Sequence, residues 1–356
     1  MRESKDDDII EVLKLISPGT PIRDGLNNIL KAKTGGLIVI GDSKEVLDIV
    51  DGGFNINEEY TPSRLYELAK MDGAIVISSD LKKILFANAQ LIPNSLIETK
   101  ETGTRHRTAE RTAKQTKQLV ISISQRRSVI TVYKGNYKYV MENTSRVLDK
   151  ANQALQTAEK YKKVYDREIN TLNEYEFNDI VTLENVITVI QKAEMVMKMV
   201  EEVQRQIYEL GEEGRLVEMQ LEELVGDLEK EELLIIKDYI SRRRNPEKAL
   251  KEIIDLDLSN LLNAISIARI LGYQNFEDFD EIGVYARGYR LLNKVPKMPS
   301  NIVDNLVKSF KSFQHILIAD IPALDDVDGI GEIRARAIKQ SLQRMQEQFV
   351  FDKLLS

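Results

Sequence analysis

The residues with the clearest chemical content are Glu101-Thr102-Gly103-Thr104-Arg105-His106-Arg107-Thr108, where two arginines stand beside one of the chain's two histidines. They precede a helix-forming run, Ala109 to Thr116, for which the pattern predicts Thr108 as N-cap and Glu110 in the first turn. A helix N-terminus carries partial positive charge, so two guanidinium groups beside it are unfavourable unless an anion comes to the site. Backbone N–H groups of a glycine turn, threonine hydroxyls and bidentate arginines together suit a polyphosphate. The same residues would also make an ordinary solvated basic turn. A second group is Asp72-Gly73, a turn directly before the apolar run Ala74-Ile75-Val76-Ile77. That position puts a carboxylate at the lip of a buried strand, within reach of a ligand. Ser124 and Arg127, in a later strand and turn, are further candidates for holding phosphate. The chain lacks a Gly-x-x-x-x-Gly-Lys-Ser/Thr loop, which weakens an ordinary ATPase reading.

Asp72-Gly73-Ala74 followed by Gly103-Thr104-Arg105-His106-Arg107-Thr108-Ala109-Glu110-Arg111 resembles the diadenylate cyclase family. That family condenses two ATP molecules into cyclic di-AMP with release of two pyrophosphates, and the resemblance runs along the whole chain. It implies that Asp72, with Gly73 beside it, lies by the ribose 3′-hydroxyl and binds Mg²⁺ or Mn²⁺, hard ions that take oxygen ligands. It implies Leu91 as a hydrophobic wall for adenine, although a plain core leucine would read the same way. Arg105 and Arg107 are expected to stabilise departing pyrophosphate, where charge builds in the transition state. His106 is assigned to phosphate binding, with Thr104 and Thr108 as flanking hydroxyl donors. The catalytic set is thus Asp72, Arg105, His106 and Arg107, and the nucleotide set adds Gly73, Leu91, Thr104, Thr108, Ser124 and Arg127. The product is symmetric, so two sites on two subunits must face each other. The resemblance implies a homo-oligomer, an octamer built through the catalytic domains and a helical spine.

The elements that must position these residues follow from the apolar pattern. Asp8 to Ile16 and Pro21 to Ala32 read as two helices, then Gly35 to Gly41 as a central strand bounded by glycines. Ser43 to Val50 reads as a short helix, and Thr61-Pro62 opens another with a cap and a proline at the first position. Ala74 to Ser78, Ile84 to Asn88, Leu119 to Ser124 and Val129 to Tyr133 read as strands. Strands and helices alternating irregularly indicate an α/β domain with a mixed sheet over residues 1–140. From Met141 the pattern changes to apolar stripes at every third or fourth residue on long charged helices, an all-α spine over 141–281. Gly211 and Gly214 break the second of these helices, and a third is expected from about Leu216 to Ile240. Asn245 caps a helix that Pro246 begins.

Over the last stretch, 282–356, the charge reverses. Ten lysines and arginines stand against six acids between Ile282 and Met345, while the whole chain carries −7. Leu324, Val327, Gly329-Ile330-Gly331, Ala335 and Ile338 form a helix, a glycine hairpin and a second helix, similar to the helix-hairpin-helix DNA-binding motif. An earlier copy spans Leu292 to Val307 with Val295-Pro296-Lys297-Met298-Pro299 as its hairpin, without the glycines. Lys297, Gly329, Gly331 and Arg334 are the expected DNA contacts, and Asp325, Asp326 and Asp328 temper the affinity. By the family resemblance, branched DNA such as a recombination junction lowers cyclase output.

Composition bounds the rest. The 356 residues are 42% hydrophobic and 30% charged, enough for two or three cores with much exposed helix. With no cysteine the chain has neither disulfides nor thiolate metal sites, which fits a reducing cytoplasm. Met1 to Asp8 is charged and lacks the apolar core of a signal peptide, and no apolar run approaches the ~20 residues of a membrane helix. The expectation is a cytoplasmic, DNA-associated nucleotidyltransferase. The rival readings are a repair scaffold that binds ATP without turning it over, and a structural adaptor built for its long helices.

Overall fold

A computed structural model describes residues 7–273 and 279–355. They form two compact units, one of residues 1–153 with 203–219, the other of 154–202 with 220–356. Among the described residues no helix is long and apolar enough to cross a membrane.

The first unit begins with helices α1 (Asp7–Ile16) and α2 (Pro21–Lys31), followed by strand β1 (Gly36–Ile40) and a single helical turn α3 (Lys44–Leu47). Next come β2 (Val50–Asp51), β3 (Phe54–Glu59), α4 (Pro62–Leu68), β4 (Ala74–Ile77) and β5 (Lys83–Leu91). Helix α5 (Thr104–Thr116) precedes a final meander, β6 (Leu119–Ser124), β7 (Val129–Lys134) and β8 (Tyr137–Val140). The sheet order is β2-β5-β4-β1-β6-β7-β8, with β3 also paired to β5. Among the described strands only β1 and β4 pair in parallel, so the expected mixed sheet is the observed one.

Strand β1 lies mid-sheet and is buried on both faces, because its alternation feeds two cores. Ile38 and Ile40 pack with Ile22, Leu26 and Ile29 of α2, while Leu37 and Val39 pack with Ala109 and Ala113 of α5. Two alanines four residues apart let α5 lie close on the sheet. Residues 203–219 join this unit through Tyr139, whose hydroxyl donates to Glu209 at 2.6 Å.

Three sequence expectations change here. Helix α5 starts four residues before the expected cap: Arg107 N–H donates to Gly103 O at 2.9 Å, so Gly103 is the N-cap and Thr108 lies inside. Thr104 to Thr108 tolerate helical dihedrals, and nothing in their side chains forces the later start. Strands β3 and β8 were not expected, because each is mostly exposed and shows little apolar alternation. The helix expected over Leu216 to Ile240 is two, Arg215–Val225 and Leu228–Tyr239, because Gly226 at φ 48° breaks the helical backbone between them.

The helical remainder opens with α6 (Thr144–Asn178) and α7 (Leu183–Leu210), then a 3-10 turn over Gly211–Gly214. Helices α8 (Arg215–Val225), α9 (Leu228–Tyr239), α10 (Pro246–Ile254), α11 (Leu258–Leu261) and α12 (Ala264–Leu271) follow. As expected, Asn245 caps α10 by accepting from Lys248 N. The chain ends in α13 (Tyr289–Asn293), α14 (Ser300–Phe310), α15 (Phe313–Ile318), α16 (Ile321–Asp325) and α17 (Glu332–Leu355). One continuous core runs through the second unit, from Tyr165 and Ile187 through Ile236 to Leu306 and Ile338.

A fully buried charge cluster crosses that core. Arg290, in the first turn of α13, donates to Asn173 and Glu176 of α6, both at 2.5 Å. Asp238 of α9 accepts from the backbone N–H groups of Gly288, Tyr289 and Arg290. The last turns of α6 and α9 are thereby fixed to the start of α13.

Candidate functional site

The site is assembled where β4 begins and α5 begins. Asp72 is the last turn residue but one before β4, and its side chain is 99% exposed. Arg105, the second residue of α5, reaches it with Nη2 at 3.1 Å from Oδ1. The structure therefore joins the two motifs that the sequence separates.

Gly73 follows with φ 93°, and a Cβ there would lie 2.8 Å from the Asn88 carbonyl carbon of β5. No side chain caps α5 at Gly103, so its first N–H groups, those of Thr104, Arg105 and His106, remain available to an acceptor. Thr104 and Arg107 are exposed, and Arg107 Nη2 donates to the Thr102 carbonyl at 3.3 Å. Thr108 is half-buried one turn further in. Ser124 ends β6 and its Oγ accepts from Arg127 N at 3.3 Å, which shapes the exposed β6–β7 turn. Leu91, at the end of β5, is only 7% exposed and packs with Val46, Val76 and Val120.

His106 does not stand free among cations. Its Nδ1 lies 3.2 Å from the Tyr133 hydroxyl on β7, and that hydroxyl donates to Glu101 Oε1 at 3.0 Å. Lys138 of β8 pairs with the same carboxylate at 2.5 Å. Burial lowers the His106 pKa, the nearby Lys138 and Arg127 charges lower it further, and Glu101 opposes them.

Sequence reasoning missed Tyr133 and Lys138 entirely, and took Glu101 only as a member of its run. Their partners are 27 and 32 residues away from Tyr133, a separation that no local pattern reports. It also missed Gly35: a Cβ there would lie 2.0 Å from Arg105 Nη1, so the guanidinium crosses this point only because the side chain is absent. The Gly35-Gly36 doublet before β1 was a visible signal, read as a strand boundary.

In the second unit, Lys297 and Gly329 occupy matching turns thirty-two residues apart, both with positive φ, 58° and 80°. The backbone after each closes alike, with Val303 N donating to Pro299 O and Ala335 N to Gly331 O. A Cβ on Gly329 would meet Ile302 Cδ1 at 2.6 Å, whereas one on Gly331 would meet nothing within 4 Å. Arg334 bends back to donate to the Gly329 carbonyl.

A mixed-sheet domain with a carboxylate set against an arginine at an uncapped helix start defines a nucleotide-binding domain. Residues 23–137 match the family described as DisA bacterial checkpoint controller nucleotide-binding (DAC), and residues 141–279 match the DisA bacterial checkpoint controller linker region. The chain is 54% identical over 354 residues to the DNA integrity scanning protein DisA of Clostridium botulinum (strain Loch Maree / Type A3), covering 99% of this chain and 100% of that relative. The protein of the same name from Clostridium perfringens (strain 13 / Type A) is 55% identical over 355 residues, covering 100% of both chains. That of Clostridium tetani (strain Massachusetts / E88) is 54% identical over 353 residues, covering 99% of this chain and 98% of the other. The chain belongs to the DisA family. Through its DAC domain it is a diadenylate cyclase, a nucleotidyltransferase.

Proposed function

We propose that the chain condenses two ATP molecules into cyclic di-AMP and two pyrophosphates, with two subunits placed face to face. Each nucleotide's 3′-hydroxyl then attacks the α-phosphate of the other in line. The observation that carries this reading is the approach of Arg105 to Asp72 at the uncapped start of α5. It gathers, within one site, a carboxylate for the ribose side and donors for the phosphate side. Arg105, Arg107, the first N–H groups of α5 and the Thr104 and Thr108 hydroxyls hold phosphate, with Ser124 and Arg127 at its rim. Fixed guanidinium groups act most strongly where negative charge grows as pyrophosphate leaves. Gly73 lets the turn come close to β5, and His106 lies inward of the arginines beside the nucleotide. Leu91, being packed in the core, backs the adenine pocket rather than lining it openly. The near-complete exposure of Asp72 supports a site that a second copy completes, in an oligomer for which we retain the octamer.

Among the described residues, no three His, Asp or Glu side chains gather into a metal cage. One exposed carboxylate completed by nucleotide phosphates is nonetheless a donor set that Mg²⁺ or Mn²⁺ accepts, and Asp72 is the residue that would hold it. When bound, such an ion would lower the pKa of the 3′-hydroxyl and offset charge on the α-phosphate.

The matching turns at Lys297 and Gly329 support a tandem helix-hairpin-helix DNA-binding region over 282–356, beyond a spine over 141–281 and a cyclase domain over 1–140. Lys297, Gly329, Gly331 and Arg334 would meet DNA phosphates through backbone N–H groups and charge, so recognition is of backbone and shape rather than base sequence. Branched DNA lowers synthesis on this reading, and the work is done in the cytoplasm at the nucleoid.

Incubation of the full chain with ATP and Mn²⁺, followed by chromatography, tests the proposal. Cyclic di-AMP supports it. Intact ATP would point to a scaffold that holds nucleotide without turnover, and ADP to an ATPase.

A further inference from the structure

Four side chains from two strands, a loop and a helix form a single line into the site: Lys138, Glu101, Tyr133, His106. The proton positions along it follow by elimination. Burial works against the Glu101 charge, but hydrogen bonds from Lys138 and Tyr133 and the Lys138 charge outweigh it and hold the carboxyl below its usual range. Glu101 is therefore ionised near neutral pH and accepts only. Burial, then Glu101 itself, lift the Tyr133 hydroxyl far above its ordinary value, so it keeps its single proton. That proton is given to Glu101. Tyr133 then offers His106 only lone pairs, and the hydrogen between them must belong to Nδ1. The groups facing the imidazole are Glu101 before α5, Arg127 in the β6–β7 turn, Tyr133 on β7 and Lys138 on β8, while Arg105 and Arg107 on α5 itself reach Asp72 and the Thr102 carbonyl. Burial and these cations keep the ring neutral. A neutral ring with hydrogen on Nδ1 has a bare lone pair on Nε2, which makes no hydrogen bond among the described residues.

We infer that Glu101 and Tyr133 are positioning residues that fix the tautomer of His106, so that Nε2 accepts a hydrogen bond from a ribose hydroxyl of the nucleotide instead of donating one to phosphate. The inference rests on the nucleotide reading above and reverses the role that the sequence assigns to His106. Phosphate oxygens offer a neutral acceptor nothing, and the two arginines already serve them.

The test reads the tautomer directly. The chain has two histidines, so solid-state NMR of the full-length protein with ¹⁵N-labelled histidine resolves His106, with His315→Gln giving the assignment. At pH 8 without nucleotide, the wild type should show hydrogen on Nδ1 and none on Nε2. Glu101→Ala frees the Tyr133 hydroxyl to donate to Nδ1, so the hydrogen should move to Nε2. Tyr133→Phe keeps the packing and removes the bond, so the two tautomers should mix. In both variants kcat should fall by about tenfold to hundredfold while KM for ATP rises by no more than about three- to tenfold, the pattern of a misplaced proton acceptor. Calorimetry with the metal chelated adds the ligand side. Wild type should bind ATP about three to ten times more tightly than one of the two analogues, 2′-deoxy-ATP and 3′-deoxy-ATP, and that difference should vanish in Glu101→Ala. Hydrogen on Nε2 in the wild type, an unmoved Nδ1 signal in Glu101→Ala, or equal binding of all three nucleotides by the wild type would each overturn the inference. The NMR result needs no turnover, so missing cyclic di-AMP would count against the cyclase reading and leave the tautomer standing.

Discussion

Arg105 Nη2 lies 3.1 Å from Asp72 Oδ1, a contact between residues 33 apart in the chain. The pair is open to solvent, so its Coulomb energy is small and screened, and it adds little to folding. Its significance is positional: the carboxylate and the guanidinium occupy one site before any ligand arrives.

Asp72→Asn keeps the shape of the turn and removes the charge. Cyclic di-AMP production should fall by orders of magnitude, while the helical circular dichroism signal and the melting temperature stay unchanged because the side chain is 99% exposed. Product measured by chromatography at the wild-type rate would exclude the carboxylate from the chemistry.

Gly35→Ala tests the path of Arg105. The added methyl would stand 2.0 Å from Nη1 and 3.2 Å from the Ile123 carbonyl, so the guanidinium must move. If Arg105 holds phosphate as proposed, a displacement of about an ångström costs on the order of a hundredfold in rate. Steady-state kinetics should show that loss with a cooperative melt close to wild type. Unchanged kinetics would mean that Arg105 works from some other position.

Arg290→Ala concerns the second unit. It would leave Glu176 buried without its cation, and Asn173 without its donor. Breaking a buried pair in this way destabilises by about 3–5 kcal/mol. Urea unfolding followed by circular dichroism should show the midpoint of that unit shifted strongly downward. A shift below the usual scatter of surface substitutions would show that the cluster contributes nothing net.

Gly329→Val and Gly331→Ala separate two glycines that look equivalent in sequence. Gly329 stands at φ 80° with Ile302 against it, while Gly331 has open space. Valine at 329 should abolish binding to a four-way junction and the inhibition by it, with basal synthesis intact. Alanine at 331 should fold normally and weaken junction binding only if its N–H approaches a phosphate. Electrophoretic mobility shifts across a salt series measure both, since phosphate contacts weaken steeply with salt. Junction binding by Gly329→Val at wild-type strength would remove this turn from the DNA reading.

Much was legible in the chain itself. The glycine-bounded run before Ile40, the Thr61 and Asn245 caps and the strand from Leu119 to Ser124 were all readable, because burial periodicity and capping chemistry are local. The two motifs that meet at the candidate site, Asp72-Gly73 and Thr104 to Thr108, were also visible as residue types. Edge strands β3 and β8 were not legible, since their backbone bonds rather than their apolar side chains hold them in the sheet. Nor was the start of α5, where a glycine cap without a side-chain signal competed with a threonine that looked better. What only the tertiary structure decided is which distant groups share a site: Arg105 over Gly35 toward Asp72, and His106 against Tyr133 and Glu101. The physical reason is that these contacts follow from the sheet order, which sets β1 between β4 and β6 and lays α5 across them. Sheet order is settled by the packing of the whole core, so no stretch of sequence near either motif could contain it.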